Sequence, residues 1–511
     1  MYKHILVLIA GIALGASGTI AQQIDHEHPP PLAAAADGVP GKQDRLRYTC
    51  VMHPDVVMDH PGNCPKCGMK LVAMKESKRS TLNVQRPTSN ETHPAHPSYS
   101  THEMQMQSSI NLADPMNRES SGTAWVPDST PMYGKMFMFG DDMLMLHGAI
   151  FPRYTNVSTP RGDDRIDAPN WIMAMFSHSL GENTQLGFRA MMSFDPLTEG
   201  GRGYPLLLQS GESWHGQPLH DRQHPHDLFD ELSFSLSQKL AAEFSGYFYF
   251  GYPGEPALGP PTFMHRLSAM DDPDAPIGHH WQDSTHVSFG VATAGLQWSR
   301  YGGMKIEGSA FTGREPDENR YDFDRPRFDS FSGRISWNPT QNLALQVSHG
   351  YIKSPEALEP DVNRHRTTAS AIYNQPLGRD SNWATTFVWG RNNDSGEKTQ
   401  SFLLETNYQR GRDTAYARWE RVEKSGHELV LARNDQGRIF ALNAATIGYV
   451  RDLSQRSGID VGLGGQVTIN FWPNGLDRYY GSGPGYAFEL FLRVRPSLHV
   501  AAAMQHAGEM K

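Results

Sequence analysis

Cysteine is nearly missing from this chain: there are three in 511 residues, and none after Cys67. That excludes a disulfide framework through the body of the protein. Long apolar runs are missing as well. Beyond residues 5–16 nothing approaches the roughly 20 residues a spanning helix needs, and mean hydropathy is −0.53. Sustained helical periodicity is almost absent, which argues against a helical bundle. Positive charge is not in excess: 46 Lys+Arg against 55 Asp+Glu leave a formal charge of −9, so nucleic acid is not an expected partner. There is no phosphate loop, and no Ser/His/Asp or paired-carboxylate pattern that marks a hydrolase.

What the chain does have is a period of two. Leu232, Phe234 and Leu236 alternate with Ser233, Ser235 and Ser237. The pattern returns at Phe244–Phe250, Val287–Val291, Met304–Ile306, Phe331–Trp337, Leu343–Val347, Phe402–Tyr408, Val461–Ile469 and Tyr486–Val494. Each run is a strand with one apolar face, and many have the 9–11 residues of a tilted membrane strand. Turn chemistry separates them: Gly181-Glu182-Asn183, Asn338-Pro339, and Asn392 to Gly396. Two architectures fit, an antiparallel outer-membrane barrel and a large soluble propeller or sandwich. Tyr, Trp and Phe near the strand ends, polar opposite faces suited to a wet lumen, and no blade-length repeat favour the barrel. The polar stretch from Gln505 to Lys511 argues the other way, because such barrels commonly end on an aromatic residue. The expectation is a mainly β protein, with an antiparallel transmembrane barrel of roughly 14–18 strands over residues 122–511.

The N-terminal region divides by composition. Lys3, the apolar run Ile5–Ala16 and the small residues around Thr19-Ile20-Ala21 read as a secretory signal over residues 1–21. The mature chain then begins near Gln22, outside the cytoplasm. Residues 22–47, with Pro29-Pro30-Pro31 and Ala33–Ala36, read as a linker. Residues 75–121, polar and Pro-rich with His93, His96, His102, Met104 and Met106, read as a second linker, expected to be disordered.

Between the linkers, at 48–74, lie all three cysteines. Tyr48-Thr-Cys-Val-Met-His-Pro54 is followed by Pro61-Gly-Asn-Cys-Pro-Lys-Cys-Gly-Met69. The order is Cys50-x2-His53, a spacer, then Cys64-x2-Cys67-Gly68. Two such knuckles can offer four ligands to one transition metal, and Gly68 frees the backbone to turn toward the thiolates. The bland alternative is a disulfide-closed or purely structural zinc module. From Tyr48 to Val72 these residues resemble the small heavy-metal-binding domain of bacterial metal-export systems, found in some metal-exporting P-type ATPases and in periplasmic efflux adaptors. The resemblance implies Cys50, His53, Cys64 and Cys67 as ligands, with Met52 and Met69 nearby. Val51 stands where the family usually has Pro; no ligand is lost. It implies nothing about the remainder of the chain.

Thiolates and imidazole suit copper or zinc. The chain also has 22 methionines. Met132, Met136, Met138, Met143 and Met145 fall close together, and Met173, Met175, Met191 and Met192 follow. Thioethers favour Cu(I) or Ag(I), although the same alternation fits methionines that only face lipid or core. Two segments between strands are rich in histidine. One holds His215, His220, His224 and His226; the other holds His265, His279, His280 and His286, with Asp227, Asp271 and Asp283 close by in sequence. His220, His224, His226, His279 and His280 are the candidate metal ligands there, His224 and His226 foremost. The expected function is heavy-metal binding at the outer membrane and periplasm, in homeostasis or resistance. Expected partners are the metal ion, outer-membrane lipid, and periplasmic metal carriers or efflux components. The rivals are a metal-dependent enzyme built on the His220–Asp227 segment and a soluble periplasmic metal buffer.

Overall fold

The computed structural model describes residues 47–49, 56–58, 60–65, 71–74, 107–283, 287–378, 380–456 and 458–498. The expected signal, most of the first linker, and Cys50, Met52, His53, Cys67, Met69 and His286 lie outside these residues. The chain forms two compact units, residues 1–99 and 100–511.

In the first unit, β1 (Arg47–Thr49) sits between β2 (Val57–Met58) and β3 (Val72–Met74) in an antiparallel sheet. Tyr48 pairs with Met58 on one side and Ala73 on the other. Cys64 and Leu71 are buried against Tyr48, Val56 and Met58, and the Leu71 N–H donates to the Gly62 carbonyl at 2.8 Å.

The second unit is a closed antiparallel barrel of 16 strands. After a short β4 (Lys135–Phe139), the first stave is β5 (Asp142–Ile150) continued by β6 (Arg153–Val157). The second is β7 (Asp164–Asp167) continued by β8 (Asn170–Ser179). Each breaks at a proline, Pro152 and Pro169, which cannot donate to the ladder; the Phe151 N–H instead donates to the Pro169 carbonyl, and the Leu492 N–H to that of Pro152. Then come β9 (Thr184–Met192), the hairpin β10 (Tyr204–Trp214) and β11 (Gln217–Gln223), which stands apart from the wall, and β12 (Phe229–Ala241). Strand follows strand to the last, Gly485–Pro496, which closes the cylinder by pairing Phe491 with Arg153 and Val494 with Ile150.

The alternation predicted from sequence is present, and inverted relative to a water-soluble core. Its apolar members face outward: Phe234 is 40% exposed, Ile306 58% and Ile447 72%, whereas Ser235 and Ser237 are each 1% exposed. A closed sheet with an apolar outer band and polar interior is built for lipid outside, and a soluble sandwich is not what forms. Turn positions differ from expectation in detail. Asn338-Pro339 belongs to the strand Ser330–Thr340. Asn392–Asp394 end the strand Ser381–Asp394, and the turn is the pair Ser395-Gly396, both at positive φ.

The wet lumen is a correction. Polar side chains do line the wall, but the chain's own segments fill the space. Residues 107–126 are mostly buried at the end of the short turns, so the stretch 107–121 is packed inside the barrel and is not the disordered linker expected from its composition. There Asn111 donates to Ser245 at 3.1 Å, and Arg118 donates to the Gly302 carbonyl. Residues 252–290 enter from the opposite end, and the described ones, 252–283 and 287–290, are buried almost throughout. Their Asp271, Asp272 and Asp274 meet the wall arginines Arg493, Arg418 and Arg153.

Candidate metal centre

Both histidine-rich segments turn inward. The hairpin of β10 and β11 folds over the lumen at the long-loop end, and the chain after it carries His224 and His226. The 252–290 segment climbs back toward the same end and carries a one-turn helix, His279–Gln282, on the way. The result is a meeting of residues far apart in sequence. His224, His279 and His280 are all buried, and each offers a ligand atom within 4.8 Å of the others. Ring centroids are 5.9 Å apart for His224–His279 and 5.5 Å for His224–His280.

Carboxylates orient two of these rings. Glu212 lies 3.0 Å from Nδ1 of His224, and Glu315 lies 3.4 Å from Nδ1 of His280. A carboxylate that takes the Nδ1 proton leaves the lone pair on Nε2, the support common behind metal-bound imidazoles. Nε2 of His280 is buried without a hydrogen-bond partner. Gly211, at φ +123°, keeps the space before it open, since a Cβ there would sit 2.8 Å from that nitrogen. Burial pushes the His280 imidazole below its ordinary pKa, against the pull of Glu315. The cavity is about 10 Å³ and walled by the three histidines, His226, Asp227, Glu315 and Arg320. That is room for one water-sized body.

Glu212 and His280 also wall a larger vestibule of about 450 Å³ that holds Glu356, Glu359, Asp394, Glu397 and Glu428. Burial and repulsion from Glu315 push the Glu356 carboxyl upward. Arg364 and His427 stand on the same wall, against Asp394 and Glu359, and the carboxylates outnumber them, which favours a cation.

Not every predicted ligand arrives. His226 stands beside the cluster, 6.1 Å from His224 by ring centroid, and its Nδ1 is held by Asp195 at 2.8 Å. His220 is elsewhere, paired with Asp221 and partly exposed. His265 lies deeper, against Trp171 and His147. Asp227, Asp271 and Asp283 are engaged by Arg320, Arg493 and Arg266. The carboxylates beside the centre carry no local sequence signal: Glu212 comes from the hairpin strand preceding His224, and Glu315 from the loop between the strands that end at Phe311 and begin at Ser330.

In the first unit Cys64 is buried, 1% exposed, on the segment between β2 and β3. Residues 47–74 match the heavy metal binding domain family. This segment is a heavy metal binding domain. Over 27 residues it is 70% identical to a copper-transporting P-type ATPase of Rhizobium leguminosarum bv. viciae, a match covering 5% of this chain and 3% of that protein. The barrel resembles solved outer-membrane proteins at low identity. A loop-deletion mutant of OmpT of Vibrio cholerae aligns at 9% identity and TM-score 0.41, covering 69% of this chain and 99% of that one. OmpF of Salmonella typhi, solved with daunomycin, aligns at 12% and 0.39, covering 70% and 99%. The channel DcaP of Acinetobacter baumannii aligns at 8% and 0.38, covering 69% and 97%.

Proposed function

We propose that this is an exported outer-membrane protein that handles heavy-metal ions, copper or a related soft ion, in homeostasis or resistance. The observation that carries the reading is a heavy metal binding domain on the same chain as a membrane-spanning barrel. Cys50, His53, Cys64 and Cys67 capture the ion on the periplasmic side, with Met52 and Met69 nearby. Covalent linkage raises the module's effective concentration near the barrel. The copper-transporting relative supports copper over zinc. Periplasmic carriers or efflux components are the expected exchange partners.

In the barrel, His224, His279 and His280 hold a borderline dication, zinc or Cu(II), reached through the carboxylate vestibule. The rival enzyme reading needs space for a substrate beside the metal. The cavity of about 10 Å³ supports holding an ion over turning over a molecule.

The test has two arms. In cell fractions the protein should be found in the outer membrane and migrate faster unheated than boiled; a freely soluble protein overturns the reading. Metal analysis of the purified full chain, before and after Cys64→Ser, should show the loss of about one bound ion per chain, as a four-ligand site predicts. Unchanged metal content removes the module from the mechanism.

A further inference from the structure

A second cluster lies deeper in the lumen, toward the short turns. Strand register builds it in rows. Met136 pairs with Met145, and Met145 with Met175, so three thioethers stand side by side on β4, β5 and β8. One pleat further along, His147 pairs with Met173, and Met173 with Met191. Met116 packs on this wall from the N-terminal segment, and Met264 from the 252–290 segment. Met138, two residues on from Met136 and opposite the buried Met143, is 41% exposed near the end of β4.

Every fully buried member of this cluster is methionine, whereas the large core cluster at the long-loop end mixes Val, Leu, Tyr, Phe and Ala. Packing alone gives no reason for that choice, since Leu or Ile fills space with better-defined rotamers. Thioether sulfur differs in having a soft lone pair. The cluster also borders a cavity of about 100 Å³ walled by Met145, Met175, Met264, His147, His265 and Trp171, among others. Nε2 of His147 and Nε2 of His265 are both buried there without a hydrogen-bond partner. Buried polar atoms are rarely left so. Two in one cavity, beside thioethers, point to a ligand.

We propose that this cavity is a separate site for a soft monovalent cation, Cu(I) or Ag(I), held by thioethers of Met145, Met175 and Met264 and by the imidazoles of His147 and His265. Charge selects the valence. The ionised groups on the cavity wall are already matched, Glu119 by Arg189 and Arg495 by Asp271. That leaves neutral donors. A single charge in a low-dielectric site of neutral soft donors is tolerable; a dication without carboxylates is far more costly to desolvate. The site therefore differs in kind from the three-histidine centre with its carboxylates. Met264 and Trp171 also wall a small cavity shared with His226, the histidine that stands beside the borderline centre. The inference deepens the metal-handling reading but does not depend on the N-terminal module, since no residue before Met116 takes part.

The test uses the full chain in detergent with Cys50→Ser, Cys64→Ser and Cys67→Ser, so that the module contributes no thiolate site. Ag(I) is the probe, being soft and redox-inert. Silver-edge X-ray absorption should show sulfur neighbours together with imidazole nitrogen. Met145→Leu, Met175→Leu and Met264→Leu together conserve volume and should fold, verified by heat-modifiable migration. That triple variant should bind Ag(I) at least 100-fold more weakly, while zinc binding at His224, His279 and His280 stays unchanged. Silver with only oxygen or nitrogen neighbours in the parent, or undiminished Ag(I) affinity in the folded triple variant, overturns the proposal. Should the triple variant not fold, the absorption spectrum of the parent decides alone. Failure of the module reading shows separately, as unchanged metal content on Cys64→Ser in the otherwise native chain.

Discussion

At the His224 ring the deciding contact is with Glu212, 3.0 Å from Nδ1. A glutamine there still fills the space but cannot hold the imidazole proton as strongly, so the ring becomes a poorer donor. Glu212→Gln should therefore weaken zinc binding at the barrel centre by about 10–100-fold, the usual cost of such an outer-shell change, with the barrel still heat-modifiable. Competition against a chromophoric chelator, in the Cys64→Ser background, measures it; an unchanged affinity means Glu212 plays no part. The centre was half legible. His224, His279 and His280 stood out by residue type, because histidine is scarce in ordinary strands and clustered here. Their mutual approach was not legible, since it depends on a segment that folds back into the lumen. Sequence put His226 level with His224 and His220 behind them, and the structure separates both from the cluster through Asp195 and Asp221, each of which takes one ring aside. The module stands at the opposite extreme: its motif is local, and residues 47–74 match the heavy metal binding domain family from the sequence alone.

At the scale of elements, the hairpin over the lumen mouth is pinned from another loop. Its turn, His215-Gly216, has both residues at positive φ, the geometry that matches strand twist but one that costs a non-glycine residue. Glu318 repays this by accepting from the His215 N–H at 2.6 Å, the Gly216 N–H at 2.9 Å and the Ser213 hydroxyl at 2.7 Å. Burial would raise the Glu318 carboxyl; the hydrogen bonds outweigh it and hold the pKa below its usual 4.5. A depressed folded-state pKa means the stabilisation is present above that value and is lost as pH falls through the lower, folded one. Amide exchange at Gly216 should accelerate about tenfold relative to the hairpin stem on acidification, roughly the worth of one charge-assisted hydrogen bond. Glu318→Gln should show that faster exchange already at pH 7 and little further change on acidification. Equal protection in both proteins at pH 7 disproves the pinning. The strands themselves were the most legible part of the fold, because one period-two face must meet lipid along its whole length. Loops such as this one were not, since their hydrogen bonds join residues a hundred positions apart.

For the whole molecule the question is whether the cylinder conducts. Alternating sequence predicted a wet lumen, and polar residues do line it, but no local pattern reveals that residues 107–126 and 252–290 return to fill it. Their anchorage is ionic. Asp271 meets Arg493 and Arg495, Asp272 meets Arg418 at 3.0 Å, and Asp274 meets Arg153 at 2.7 Å, all buried. Breaking a buried pair from one side leaves the other charge uncompensated, at about 3–5 kcal/mol. Asp271→Asn should be the most costly single change of the three, because two arginines converge on that carboxylate, although Asp452 remains to share Arg493. Its effect reads out as a lower temperature for the shift from fast to slow gel migration. Replacing Asp271, Asp272 and Asp274 together by Asn should free the inner segment from the wall. In planar bilayers the native chain should then show little conductance and the triple variant a clear increase, with salt ions crossing where the segment had lain. Large, steady conductance from the native protein would mean that the inner segments do not block the pore, and ions would need no chain of side-chain sites to cross.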